Sequence, residues 1–251
     1  MKSIKGAIAM ALLAAGLVAG ALHAQAQSPT KASAAAQESA LRKNLEQRLP
    51  SIGKIDEVRA SPIAGLYEVR VGTELFYSDV EGNYLVNGQI IDTRSKKNLT
   101  EERQDKLLAV NFDALPVKDA FTIVRGNGKR KIAVFEDPNC GYCKRFEQDL
   151  QKVDNVTVYM YLYPILGPDS VEKSKAHWCA KDKAKTWQDW MVRNTPPPKA
   201  DADCDVTALT RNRELGAKHK ITGTPTLIFA DGTRVPGAIG AADLEKLLAS
   251  K

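Results

Sequence analysis

The chain has 251 residues, of which 43% are hydrophobic and 26% charged, with four cysteines. That composition can fill one large or two small cores, and it excludes collagen-like, disordered and disulfide-dense miniprotein classes. The formal charge of +6 hints at an anionic partner, but part of it sits in a segment marked for removal.

Lys2 and Lys5 precede an uncharged, Ala-rich run from Ala7 to Leu22, and Ala24-Gln25-Ala26 supplies the small residues of a cleavage site. This is the pattern of a secretory signal peptide cut after Ala26. The alternative is a membrane anchor, against which stand the Ala/Gly content and the cleavage site where a basic stop would be. Without Lys2 and Lys5 the charge is +4, all of it beyond Phe112, because residues 27–112 carry twelve basic and twelve acidic side chains. A nucleic-acid partner is not expected from so thin an excess. Export also permits lasting disulfides.

Residues 27–36 lack apolar periodicity and read as a frayed start. Leu41, Leu45 and Leu49 repeat at helical spacing up to Pro50. Strand-like runs follow at 54–60, 66–71, 74–78 and 84–86, separated by turn pairs such as Ser61-Pro62, Val71-Gly72 and Asn87-Gly88. Tyr67, Val69 and Val71 alternate with Glu68 and Arg70, as in a half-buried antiparallel strand. This module holds no Cys and no His, so oligomerisation or substrate docking suits it better than catalysis; the alternative is a plain packing extension. Residues 98–111 read as a charged helix from Thr100, either a semi-rigid spacer or a helix packed flat on one domain.

The second half alternates strands and helices. Runs at 120–124 and 131–135 read as strands, and Cys140-Gly141-Tyr142-Cys143 opens a helix through Phe146 and Leu150. A strand at 156–163 and helices at 171–180 and 184–192 lead to the break Thr195-Pro196-Pro197-Pro198. A helix at 206–218, strands at 226–230 and 234–235 and a helix at 241–250 complete an α/β layered domain with a mixed sheet. The boundaries expected are 1–26 for the signal, 27–97 for the N-terminal module, 98–119 for the linker helix and 120–251 for the larger domain.

Two cysteines two residues apart at a helix start form a reactive dithiol. The unpaired N–H groups and the dipole there favour a thiolate. By chain order Cys140 attacks and Cys143, one turn in, resolves. A zinc half-site and a merely structural disulfide are the alternatives. Zinc wants four ligands, and Cys179 and Cys204 stand 25 residues apart without the paired spacing. Later, Gly223-Thr224-Pro225 sets a proline at a strand entrance, where it removes a ladder donor. A cis Thr224–Pro225 bond would fit a sharp turn and offer the Thr224 backbone to an incoming chain, although most such bonds are trans.

The motif 137–143 (Asp-Pro-Asn-Cys-Gly-Tyr-Cys), with Trp178-Cys179-Ala180-Lys181-Asp182-Lys183, Cys204-Asp205 and Gly223-Thr224-Pro225, resembles the DsbC family of periplasmic disulfide isomerases, on a thioredoxin-like fold. Gly65-Leu66-Tyr67-Glu68-Val69 and Phe76-Tyr77-Ser78 resemble the same family's N-terminal part. The resemblance implies a thioredoxin-like catalytic domain with a helical insert, plus a small N-terminal α+β dimerisation domain and a linker helix. It implies a V-shaped homodimer in the periplasm whose clients are misfolded, disulfide-containing exported proteins. It further implies that a DsbD-type membrane electron donor keeps Cys140 and Cys143 reduced, and that Cys179 and Cys204 form a structural disulfide.

Under this resemblance Thr224 and Pro225 bind substrate, while Gly141 and Tyr142 tune the redox poise. No organic cofactor or metal is called for. DsbG-like proteins typically carry Pro where this chain has Gly141. A DsbG-like reductase of oxidised single cysteines and a holdase chaperone with secondary redox activity are the rival functions. Glu136 and Asp137 read as turn and cap residues rather than proton-transfer groups. His177 and His219 read as surface or helix-end residues, and Trp178, Trp187 and Trp190 as core packing.

Overall fold

The computed structural model describes residues 31–250, with side chains from Ser33 onward. The expected signal peptide lies outside the described residues. Helix α1 (Lys31–Arg48) begins inside the stretch expected to be frayed. Its alanines form helix on propensity alone, which leaves no periodic signature. Leu41 and Leu45 are buried against Ile55, Val58 and Val69, whereas Leu49, past the end of the helix, is exposed. Strands β1 (Glu57–Ala60), β2 (Leu66–Val71), β3 (Glu74–Asp79) and β4 (Leu85–Val86) form an antiparallel sheet in that order.

A small hairpin of β5 (Ile91–Asp92) and β6 (Lys97–Asn98) precedes α2 (Leu99–Leu108), whose first turn is capped by the Asn98 side chain accepting from the Glu101 N–H. This helix is not free of its neighbours. Arg103 reaches back to Glu57 at 2.8 Å and to Glu68 at 3.2 Å, and Tyr77 and Thr100 share a hydroxyl hydrogen bond. Glu68, expected to face solvent, is therefore buried and paired with both Arg59 and Arg103. A carboxylate can be buried there because its charge is matched on two sides.

Residues 109–119 run through two short 3₁₀ turns and tie the halves together. The Val110 N–H donates to the Gly232 carbonyl at 3.0 Å. Gly232 has φ +88°, and a Cβ there would stand 2.7 Å from the Val110 carbonyl oxygen, so only glycine fits this crossing. Asp119 is buried under a forked hydrogen bond from Arg211.

The larger unit comprises β7 (Phe121–Arg125), β8 (Arg130–Glu136), α3 (Gly141–Leu150), β9 (Val156–Leu162), α4 (Pro168–Cys179), α5 (Lys183–Arg193), α6 (Thr207–Lys218), β10 (Thr226–Phe229), β11 (Arg234–Pro236) and α7 (Ala241–Ala249). Its sheet runs β11-β10-β8-β9-β7, with β8 and β9 parallel and the other pairs antiparallel. The central strands are apolar without alternation because both faces are covered. Ile132 and Val134 pack with α3, α5 and α7 through Phe146, Leu150, Trp187 and Leu244. Ala133 and Phe135, one residue out of phase, pack with Tyr161, Ile228 and the linker's Val110 and Leu115. The larger unit is thus a mixed five-stranded sheet covered by helices, preceded by the small N-terminal α+β domain, the architecture that the motifs imply.

Candidate active site

The site forms where β8 ends and α3 starts. Asp137, fully buried, accepts from the Asn139 N–H (2.8 Å), the Ser170 hydroxyl (2.7 Å) and the N–H groups of Ile165 (2.8 Å) and Leu166 (3.0 Å). One carboxylate thus ties the loop to the segment leading into α4. From the other side, the Trp190 indole N–H donates to the Pro138 carbonyl at 2.6 Å, and the Lys144 ammonium lies 4.0 Å from the centre of that ring. Loop 137–139 is held by fixed groups on two sides, which leaves Cys140 at the N-cap of α3.

Cys140 is 6% exposed, and its Sγ lies 3.2 Å from the Thr224 carbonyl oxygen, to which the thiol donates. Its pKa is lowered to about 5. The largest cause is the hydrogen bond from Cys143. The Thr224 side chain and the N–H groups of Cys143 and Tyr142 add to it, and burial opposes. Cys143, fully buried, behaves oppositely: burial, the hydrogen bond to Cys140 and the charge of Glu136 raise its pKa. Neighbouring thiols are therefore split into one that ionises readily and one that keeps its proton.

Gly141 and Tyr142 lie at the surface between them; Tyr142 is 68% exposed, and a Cβ on Gly141 would meet no atom within 4 Å. Thr224–Pro225 is cis. Pro225 is buried and its carbonyl accepts from Gly237 at 2.8 Å, while Thr224 stays half-buried beside Cys140. Cys140, Gly141, Tyr142, Cys143, Thr224 and Pro225 thus converge. Cys179 and Cys204 form a disulfide that joins the end of α4 to the segment before α6.

Several expectations need correction. Glu136 is no turn residue: it ends β8 with its whole side chain buried, and Asp137 alone does the capping. His177 is not at the surface. It is buried in α4, its ring edge-on to Trp187 with centroids 5.0 Å apart, and burial lowers its pKa to about 4. His219 does sit at a helix end, after α6. Of the three tryptophans only Trp187 is fully buried; Trp178 and Trp190 pack at the core's margin. Glu147 was missed altogether. It lies one helical turn beyond Cys143 on the apolar face of α3, fully buried, and accepts from the Trp187 indole N–H at 2.8 Å. An acid at that position of an apolar stripe is the signal that would have revealed it.

Residues 117–251 match the thioredoxin-like domain family and residues 32–101 match the disulfide bond isomerase protein N-terminal domain family. A probable thiol:disulfide interchange protein DsbC of Bordetella parapertussis is 44% identical over 212 residues, covering 84% of this chain and 74% of the relative. The thiol:disulfide interchange protein DsbC of Escherichia coli is 30% identical over 211 residues, covering 81% and 86%. A solved disulfide interchange protein from Neisseria gonorrhoeae is 38% identical and superposes with a TM-score of 0.52 over 54% of this chain and 97% of that one.

Proposed function

Because the chain belongs to the DsbC family of thiol:disulfide interchange proteins, we infer that it is a periplasmic disulfide isomerase working through the dithiol of Cys140 and Cys143. The observation that carries this reading is the split between the two thiols. At neutral pH Cys140 is a thiolate beside an accessible backbone, and Cys143 is a protonated reserve behind it. Cys140 attacks a wrong disulfide in a client and forms a mixed disulfide. A client thiol then displaces it with a new pairing, or Cys143 resolves it and leaves the client reduced. Thr224 and Pro225 line the client segment beside Cys140 through the backbone, as in β-augmentation. Gly141 and Tyr142 set the poise, and the Cys179–Cys204 bond braces the helical insert, worth about 3 kcal/mol in the chain-entropy model.

In this reading residues 1–26 direct export and are removed after Ala26, and 27–97 dimerise. Residues 98–119 link that domain to the catalytic one at 120–251. Supporting the dimer, Tyr84 and Val86, at and just before the edge strand β4, and Ile91 in the β5–β6 hairpin are large apolar side chains more than half exposed. Clients are misfolded exported proteins held in the dimer's cleft, which adds chaperone activity. A DsbD-type membrane donor returns Cys140 and Cys143 to the reduced state.

Catalytic amounts of the protein, mixed with a scrambled multi-disulfide enzyme in glutathione buffer, should restore client activity. A variant lacking residues 27–97 should still reduce a simple disulfide but lose reactivation and run as a monomer instead of a dimer. Reduction without reshuffling by the full chain would favour the DsbG-like reductase. Suppressed aggregation alone would favour the holdase.

A further inference from the structure

Thr224 meets Cys140 from the β10 side, whereas the two residues before Cys140 are held from α4 and α5, and part of what holds them is charged. The Trp190 indole N–H donates to the Pro138 carbonyl at 2.6 Å. Two ammonium groups crowd that same ring, Lys144 of α3 at 4.0 Å from its centre and Lys173 of α4 at 4.9 Å. Lys173 also donates to the Asn139 side-chain oxygen at 2.9 Å and pairs with Asp169. Lys144 sits one helical turn from the nucleophile, its backbone N–H bonded to the Cys140 carbonyl at 3.1 Å. Its ammonium donates only to the neutral Asn194 side chain, at 2.7 Å, and has no carboxylate in ion-pair reach among the described residues.

Two half-buried cations therefore share one ring and one carboxylate, which leaves one positive charge uncompensated beside the dithiol. Burial and the Lys173 charge lower the pKa of Lys144, as they do for a cation without a counterion. Holding such a charge off water is costly, and an arriving anion removes the cost.

We propose that Lys144 and Lys173, seated on Trp190, form a carboxylate-selecting subsite that favours client disulfides with Asp or Glu beside the attacked cysteine. The proposal rests on the exchange reading above. A carboxylate next to a disulfide ordinarily repels an incoming thiolate, and the uncompensated ammonium turns that repulsion into attraction. One excess cation calls for one carboxylate, so the preference is for a single acidic neighbour and not for an acidic tract. On docking, Lys144 exchanges the exposed Asn194 amide for the client's carboxylate. The reaction itself is unchanged. The Cys140 thiolate attacks the client sulfur, the client's S–S bond breaks, a Cys140–client S–S bond forms, and the expelled sulfur carries off the electron pair of the broken bond. Neither lysine gives or takes a proton.

The test uses the full mature chain, reduced, and peptides of one sequence whose single cysteine is a pyridyl disulfide with Asp, Asn or Lys beside it. Thiopyridone release is followed by stopped-flow absorbance at neutral pH. At low ionic strength the Asp peptide should react about fivefold faster than the Asn peptide, the scale of one exposed ion pair, and the Lys peptide slower by a similar factor. The spread should collapse at ~1 M salt, where charges are screened beyond about 3 Å. In Lys144→Gln the Asp peptide should be no faster than the Asn peptide, and in Lys144→Glu the Lys peptide should come first. Asp169→Asn, which takes from Lys173 its carboxylate, should widen the wild-type spread. Thermal melts establish that each variant is folded. Equal rates for the three peptides with the wild type, or the same spread in both Lys144 variants as in the wild type, would overturn the subsite. Equal slowing of all three peptides with the spread intact would assign Lys144 to the thiolate instead, and would overturn it too. A wild type that releases no thiopyridone from any peptide would instead overturn the exchange reading.

Discussion

Cys140→Ser is expected to abolish reactivation of a scrambled multi-disulfide client, a loss on the order of 10³-fold or more and so about 4 kcal/mol of barrier, while suppression of aggregation persists. The magnitude follows from the chemistry: serine at the same N-cap offers no thiolate and cannot form or leave a disulfide. The fold should tolerate the change, because serine is a preferred N-cap residue and differs from cysteine only in one oxygen for one sulfur. Client activity and light scattering on the same samples separate the two functions. Residual reactivation above the uncatalysed rate would remove Cys140 from the attacking role.

The second expected result concerns pH. Alkylation of Cys140 in the reduced protein should rise with an inflection near pH 5 and stay flat above pH 6, while Cys143 remains unlabelled. A free thiol near pKa ~8.5 is only about 3% ionised at pH 7, so the shift raises the thiolate roughly 30-fold. A more acidic thiol is also a weaker nucleophile, and with a Brønsted slope of ~0.45 the loss over about 3.5 units is again tens-fold. At pH 7 the two effects nearly cancel. The gain lies in Cys140 as a leaving group, and at pH 5.5, where the thiolate advantage exceeds the nucleophilicity loss by about 20-fold. The folded pKa lies below the unfolded one. The thiolate's contribution to stability of the reduced protein is therefore fully present above about pH 8.5 and is lost as pH falls through about 5. An inflection near 8.5 would refute the environment assigned to Cys140.

The elements that place the site were legible because their signals are local. The apolar run of β8, the helix opening at Cys140-Gly141-Tyr142-Cys143 and the proline at the start of β10 each state their own structure, and their bounds shift by a residue or two. The β5–β6 hairpin was not legible, since two-residue strands carry no period. The exposure of Glu68 was misjudged because the covering group, Arg103, comes from a helix 35 residues away. His177 and Glu147 fail to read as buried for the same reason: both are covered by Trp187 of α5, and helix pairing between α4, α5 and α3 is a tertiary fact. Polar residues on covered faces are what periodicity cannot price, and around Cys143 they are where the chemistry gathers.

The most direct measurement traps the exchange itself. Cys143→Ser, incubated with scrambled client, quenched by alkylation and mapped by peptide mass spectrometry, should yield a stable mixed disulfide joining the client to Sγ of Cys140. A covalent complex joined through Cys179 or Cys204, or none at all under conditions where the wild type reactivates the client, would contradict it.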